Sequence, residues 1–145
     1  MTKNLTLLAI LLLAVAGAAH AQTADPIETR QAGQDLMLGD FTGIRAVVAA
    51  KGDVTKLEQP AKALARWIKQ FSTQFPPGSD TGHNTKALPA VWSDRVGFEK
   101  AADNFVETAD KLAQLAKAGD ADAVAAQVKV VTDACANCHN SFRAK

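Results

Sequence analysis

Cys135 and Cys138 stand two residues apart and a histidine follows at once, in the run Cys135-Ala136-Asn137-Cys138-His139. On a helix that spacing puts the two thiols one turn apart, with His139 four residues after the first and on the same face. Cys-x-x-Cys-His is the attachment pattern of c-type haem, in which both thiols form thioethers and the histidine binds the iron. Two other chemistries use a Cys-x-x-Cys pair. A redox dithiol belongs in a thioredoxin-like unit, and no strand pattern precedes Cys135. A structural zinc ion takes four ligands, and here the pair would have to recruit His139 and then His83 or a carboxylate. The residues therefore favour one covalent haem c with its iron, Cys135 and Cys138 as anchors and His139 as the proximal ligand.

The N-terminus has the composition of an export address. Lys3 supplies a positive start, residues 5–18 are nearly all apolar, and Ala19-His20-Ala21 is a small-x-small cleavage site. The apolar run is short for a bilayer span, so residues 1–21 read as a cleaved secretory signal and 22–145 as one domain. Cleavage leaves no membrane anchor and places the mature protein in the bacterial periplasm, the compartment where haem is attached covalently. It also removes Met1, His20 and Lys3, so Met37 becomes the sole methionine and only His83 and His139 remain. Acidic and basic side chains then balance. A neutral surface argues against nucleic acid or an anionic membrane as partner.

Four helical segments have to position the motif. The first starts at Asp25-Pro26, an N-cap with proline behind it, and runs to Gly52-Asp53. Its inward stripe is Ile27, Arg30, Gln34, Met37, Phe41, Ile44 and Val48. The second carries Leu57, Ala61, Leu64, Ile68, Phe71 and Phe75 and stops at Pro76-Pro77. The third follows Pro89 with Phe98, Ala102, Phe105, Ala109, Leu112 and Leu115. The fourth, beyond Gly119-Asp120, shows Val124, Val128, Val131, Cys135, Cys138 and Phe142. Stripes at steps of three and four predict an all-α protein, an antiparallel four-helix bundle enclosing the haem. Residues 76–88 form the one long loop, with His83 on it and away from the iron. Arg30 and Gln34 interrupt the first stripe with polar groups, which need a polar partner when buried.

A bundle of this length with Arg30-Gln31 early in its first helix and Cys135-x-x-Cys138-His139-x-x-Phe142-Arg143 closing its last resembles the class II cytochromes c, the cytochrome c-prime family. The likeness covers essentially the whole mature chain, and residues 87–94 resemble the family's entry to the third helix. It implies a haem packed between the helices, Arg30 and Gln31 on the propionate side, and Arg143 as the basic residue flanking the proximal histidine. Arg143 also suits the C-terminal end of a helix by its charge alone. Some members of the family dimerise through the first two helices, and the outward residues of this chain leave monomer and homodimer both open.

The distal face stays open between alternatives. In the family, the position four residues after the first-helix arginine carries an apolar residue in five-coordinate members and methionine in low-spin ones. Here it is Gln34. This side chain either caps the sixth position without binding or coordinates weakly through its amide oxygen, a hard donor ill matched to ferrous haem. Met37, about 4.5 Å further along the axis, is the third candidate. Its alternative role is core filling beside Phe41. Two functions follow: a one-electron carrier serving periplasmic redox proteins, or a five-coordinate haem that reversibly binds nitric oxide or carbon monoxide. No nucleophile, base and oxyanion donors assemble in the sequence, so an enzyme is not expected.

Overall fold

The Asp25 carboxylate opens the first helix, accepting from the backbone N–H of Ile27 at 2.7 Å and of Glu28 at 3.2 Å. In a computed structural model, which describes residues 24–145, this helix is α1, Pro26–Ala49. The proposed signal segment lies outside the described residues. A 3₁₀ turn, Val54–Leu57, is capped by Asp53 and leads into α2, Glu58–Phe71. A single turn, α3 (Ala90–Ser93), precedes α4, Arg95–Ala118, and α5 is Ala121–Phe142.

The break between α3 and α4 falls at Asp94, whose side chain accepts from Gly97 N–H at 3.0 Å. The α4–α5 turn is equally local. Gly119 adopts φ 75°, the left-handed conformation that only glycine takes without strain, and Asp120 caps α5 through Ala123 N–H.

The long helices pack as the antiparallel four-helix bundle that the stripes predict. Helix α4 lies centrally, along α2 on one side and α5 on the other, and α1 packs on α2. Ala61, Ala109, Leu112, Ala116, Val124 and Val131 are wholly buried in the shared core. Helices α1 and α5 touch only sparsely, and the wedge between them is the space that matters for function.

Helix α2 ends earlier than Pro76-Pro77 suggests. It stops at Phe71, and Phe75 reaches the core from the following turn. There it joins a second apolar cluster with Val91, Phe98 and Phe142. Successive edge-to-face contacts link Phe71 to Phe75 at 5.0 Å, Phe75 to Phe98 at 4.9 Å and Phe98 to Phe142 at 5.3 Å. Because Phe142 is the last residue of α5, this cluster holds the end of the helix that carries the Cys-x-x-Cys-His run.

Close approach of α1 and α2 depends on Gly33, where a Cβ atom would overlap the Trp67 ring. Gly33→Ala should therefore lower stability by about 1 kcal/mol net, as overpacking outweighs the gain in helix propensity. Chemical denaturation with tryptophan fluorescence reads it; a higher unfolding midpoint would contradict the packing.

Candidate haem site

Helix α5 carries Cys135, Cys138 and His139 to one wall of a cavity of about 710 Å³. The space lies within the range of about 300–1,000 Å³ usual for small-molecule sites. Phe41 of α1, Leu64, Ile68 and Phe71 of α2, and Phe98, Ala102 and Phe105 of α4 make most of its lining apolar. The aromatic cluster that anchors Phe142 forms one end of it.

Both cysteines are free, half-buried thiols. Burial pushes up the pKa of each, and for Cys135 the neighbouring Cys138 adds to the effect. Burial first, and then the Arg143 cation, hold His139 below the usual imidazole range. The shift favours the neutral form, in which imidazole binds a metal. Arg143 itself sits just past the helix, exposed and extended, with its backbone bridged to Ala87.

The first-helix residues are placed less simply. Arg30 is 3% exposed and lines the cavity, yet its guanidinium is engaged by the 74–85 segment. It donates to the Gln74 carbonyl at 3.0 Å, the Ser79 hydroxyl at 3.0 Å, the Ser79 carbonyl at 2.7 Å and the Thr85 hydroxyl at 2.9 Å. The Phe75 ring lies beneath it, with the centroid 4.3 Å from Cζ. Burial lowers its pKa from the ordinary arginine value, although guanidinium stays charged in proteins. The polar partner demanded by a buried arginine on the stripe is therefore, in this structure, the loop.

Gln31 behaves similarly, donating to the His83 carbonyl at 2.9 Å. His83 is exposed, at φ 48°, and its ring nitrogens stand 3.4 Å from carboxylate oxygens of Asp25 and Glu28. It is a loop-to-helix tie, remote in role from the cavity wall.

Gln34 lines the cavity, and its Oε1 is buried without a hydrogen-bond partner. Met37 also lines it, while packing against the main core and bordering a smaller groove with Gly33, Leu36 and Trp67. The sequence reading missed Lys86 and Arg45, which bring two further cations to the lining. Arg45 follows Phe41 by four residues, so it shares a face with the stripe and that spacing was the available signal.

A helical bundle that opens a wedge between its first and last helices, and sets a Cys-x-x-Cys-His run on the wedge wall, defines a class of haem c-carrying proteins. The comparisons narrow this. The family model described as Cytochrome C' matches residues 25–143. Cytochrome c' of Rubrivivax gelatinosus is 38% identical over 123 residues, spanning 83% of this chain and 95% of the relative. A nitric oxide complex of a leucine-to-alanine mutant of cytochrome c prime from Alcaligenes xylosoxidans superposes with a TM-score of 0.75 at 28% identity, covering 83% and 94% of the two chains. A further cytochrome c', described as having ligand-controlled dimer dissociation, gives a TM-score of 0.77 at 31% identity, with 83% and 95% covered. The chain belongs to the cytochrome c' family, and its cofactor is covalently bound haem c.

Proposed function

We propose that this chain is an exported periplasmic electron carrier whose haem is anchored by Cys135 and Cys138, with His139 as the proximal iron ligand. One observation carries the reading: these three side chains share one wall of an apolar cavity between α1 and α5. When bound, the haem iron supplies one-electron chemistry between ferric and ferrous states. Everything else is the polypeptide's work. Leu64, Phe71, Phe98 and Phe105 exclude water, and a low dielectric disfavours the more highly charged oxidised state. Partial burial, and then the Arg143 cation, shift His139 toward the neutral form that ligates. The Phe75–Phe98–Phe142 contacts fix the end of α5, so that thiols and imidazole hold one orientation.

A second reading is reversible binding of nitric oxide or carbon monoxide. Two observations favour it. Met37 is engaged in the core, which supports a packing role over ligation, and a related cytochrome c prime mutant forms a nitric oxide complex. Leu36, 75% exposed beside the α1–α2 groove, also offers an apolar face to a second copy of the chain, consistent with the dimeric relative.

Optical and paramagnetic resonance spectra of ferric and ferrous protein test both readings. Met37→Ala should leave the spin state unchanged. Loss of a low-spin signal in that variant alone would make Met37 the sixth ligand and close the distal face to gases. Periplasmic protein without haem absorbance would overturn the assignment altogether, and reduced protein unable to pass electrons to any periplasmic acceptor would remove the carrier role.

A further inference from the structure

The polar residues facing the cavity from α1 are not equivalent. Arg30 has its terminal nitrogens engaged by the loop, and Gln31 has its amide nitrogen on the His83 carbonyl. Gln34, one turn further along, lies on the same wall. Its Oε1 is buried and accepts from no donor among the described residues. With the oxygen enclosed, the –NH₂ is the polar end of the amide that remains accessible on that wall. Phe41 and Leu64 of the same lining carry no hydrogen-bonding side chain, and the polar lining residues Asp35 and Arg45 are exposed.

From this we infer that Gln34 is a specificity-determining distal hydrogen-bond donor, selecting small ligands whose outer atom carries negative charge. The inference rests on the second reading above, in which a ligand reaches the iron from the α1 side. An amide N–H in an apolar pocket interacts strongly with such an atom, because no water competes for it and the local dielectric is low. A leucine at the same place would give shape without polarity. Anions such as fluoride, and diatomics that draw electron density onto the outer atom, would gain from the donor, whereas nearly apolar carbon monoxide would gain little affinity. The orphaned amide also explains why the first-helix stripe tolerates a polar residue here. Its N–H donors are left for a guest rather than spent on the fold, while the enclosed oxygen carries the usual cost of an unsatisfied buried acceptor.

The test compares holoprotein of the full mature chain with Gln34→Leu and Gln34→His. Fluoride binding to the ferric form should weaken about tenfold in Gln34→Leu, the scale of a hydrogen bond to a charged partner, and recover in Gln34→His. The carbon monoxide stretch of the ferrous adduct should move to higher frequency in Gln34→Leu, since a nearby donor promotes back-donation into the ligand, while carbon monoxide affinity changes less than twofold. Identical stretching frequencies and fluoride affinities in wild type and Gln34→Leu would overturn the donor role and leave the open distal face intact. Carbon monoxide binding by no form would overturn the open face and the donor role together. Binding by Gln34→Leu alone would show that Gln34 blocks the site instead.

Discussion

Replacing Cys135 and Cys138 together by alanine is expected to abolish covalent haem completely, so that no haem stain migrates with the polypeptide on a denaturing gel. Each single variant should keep one thioether at most. The cause lies in the cavity wall. Both thiols are held on α5 by helix geometry and half-buried against apolar side chains, so no other residue can substitute for either. The double variant should also melt at a lower temperature than the holoprotein, because the contacts of the haem with the apolar lining form only in the folded state and the tether keeps it at high local concentration. His139 alone would retain haem reversibly, removable by dilution into a haem acceptor. Haem staining of the double variant equal to wild type would refute the assignment of these two anchors.

The second large effect belongs to Arg30. Arg30→Leu should cost about 3 kcal/mol, because it strands four acceptors that a charged donor now serves. For a domain of this size that corresponds to a fall of roughly 10 °C in the thermal midpoint. Among the described residues Arg30 and Ser79 are the buried polar side chains, and they bond to each other. Gln74, Ser79 and Thr85 all lie in the segment that also reaches Arg143 and Ala144 through the Ala87 bridge and the Lys86 carbonyl. Releasing the clamp should therefore speed hydrogen exchange across residues 74–88 and loosen the cavity wall at Thr85, Lys86 and Ala87. Ser79→Ala, which removes one hydroxyl partner, should cost about 1 kcal/mol. An unchanged midpoint for Arg30→Leu would show that the loop closes without its help.

Much of the frame was legible because its signals are local. Asp25-Pro26 and Gly119-Asp120 act within four residues of themselves, and each caps or breaks a helix where its chemistry predicts, whereas the break at Asp94 within the segment after Pro89 was not read. The four apolar stripes reach the core as read, apart from their interrupted members. The end of α2 was misplaced because Phe75 continues the spacing while the chain has already left the helix. Residues ahead of Pro76-Pro77 disfavour helical backbone, and Arg30 holds the Gln74 carbonyl in the turn that results. Lys86 was missed for a related reason, since an exposed loop cation has no signature in its own neighbourhood, whereas Arg45 had only its spacing from Phe41.

The haem motif and the bundle were determined by the sequence alone, since a five-residue spacing and a repeat of three and four are properties of the chain itself. The use of Arg30, Gln31 and Gln34 was decided by the tertiary structure. Each has a side chain whose partners lie tens of residues away or are absent. Arg30 pairs across separations of 44 to 55 residues and Gln31 across 52, and only folding brings those carbonyls and hydroxyls within reach. Gln34 acquires its meaning from what it lacks once its two polar neighbours on α1 have been claimed by the loop.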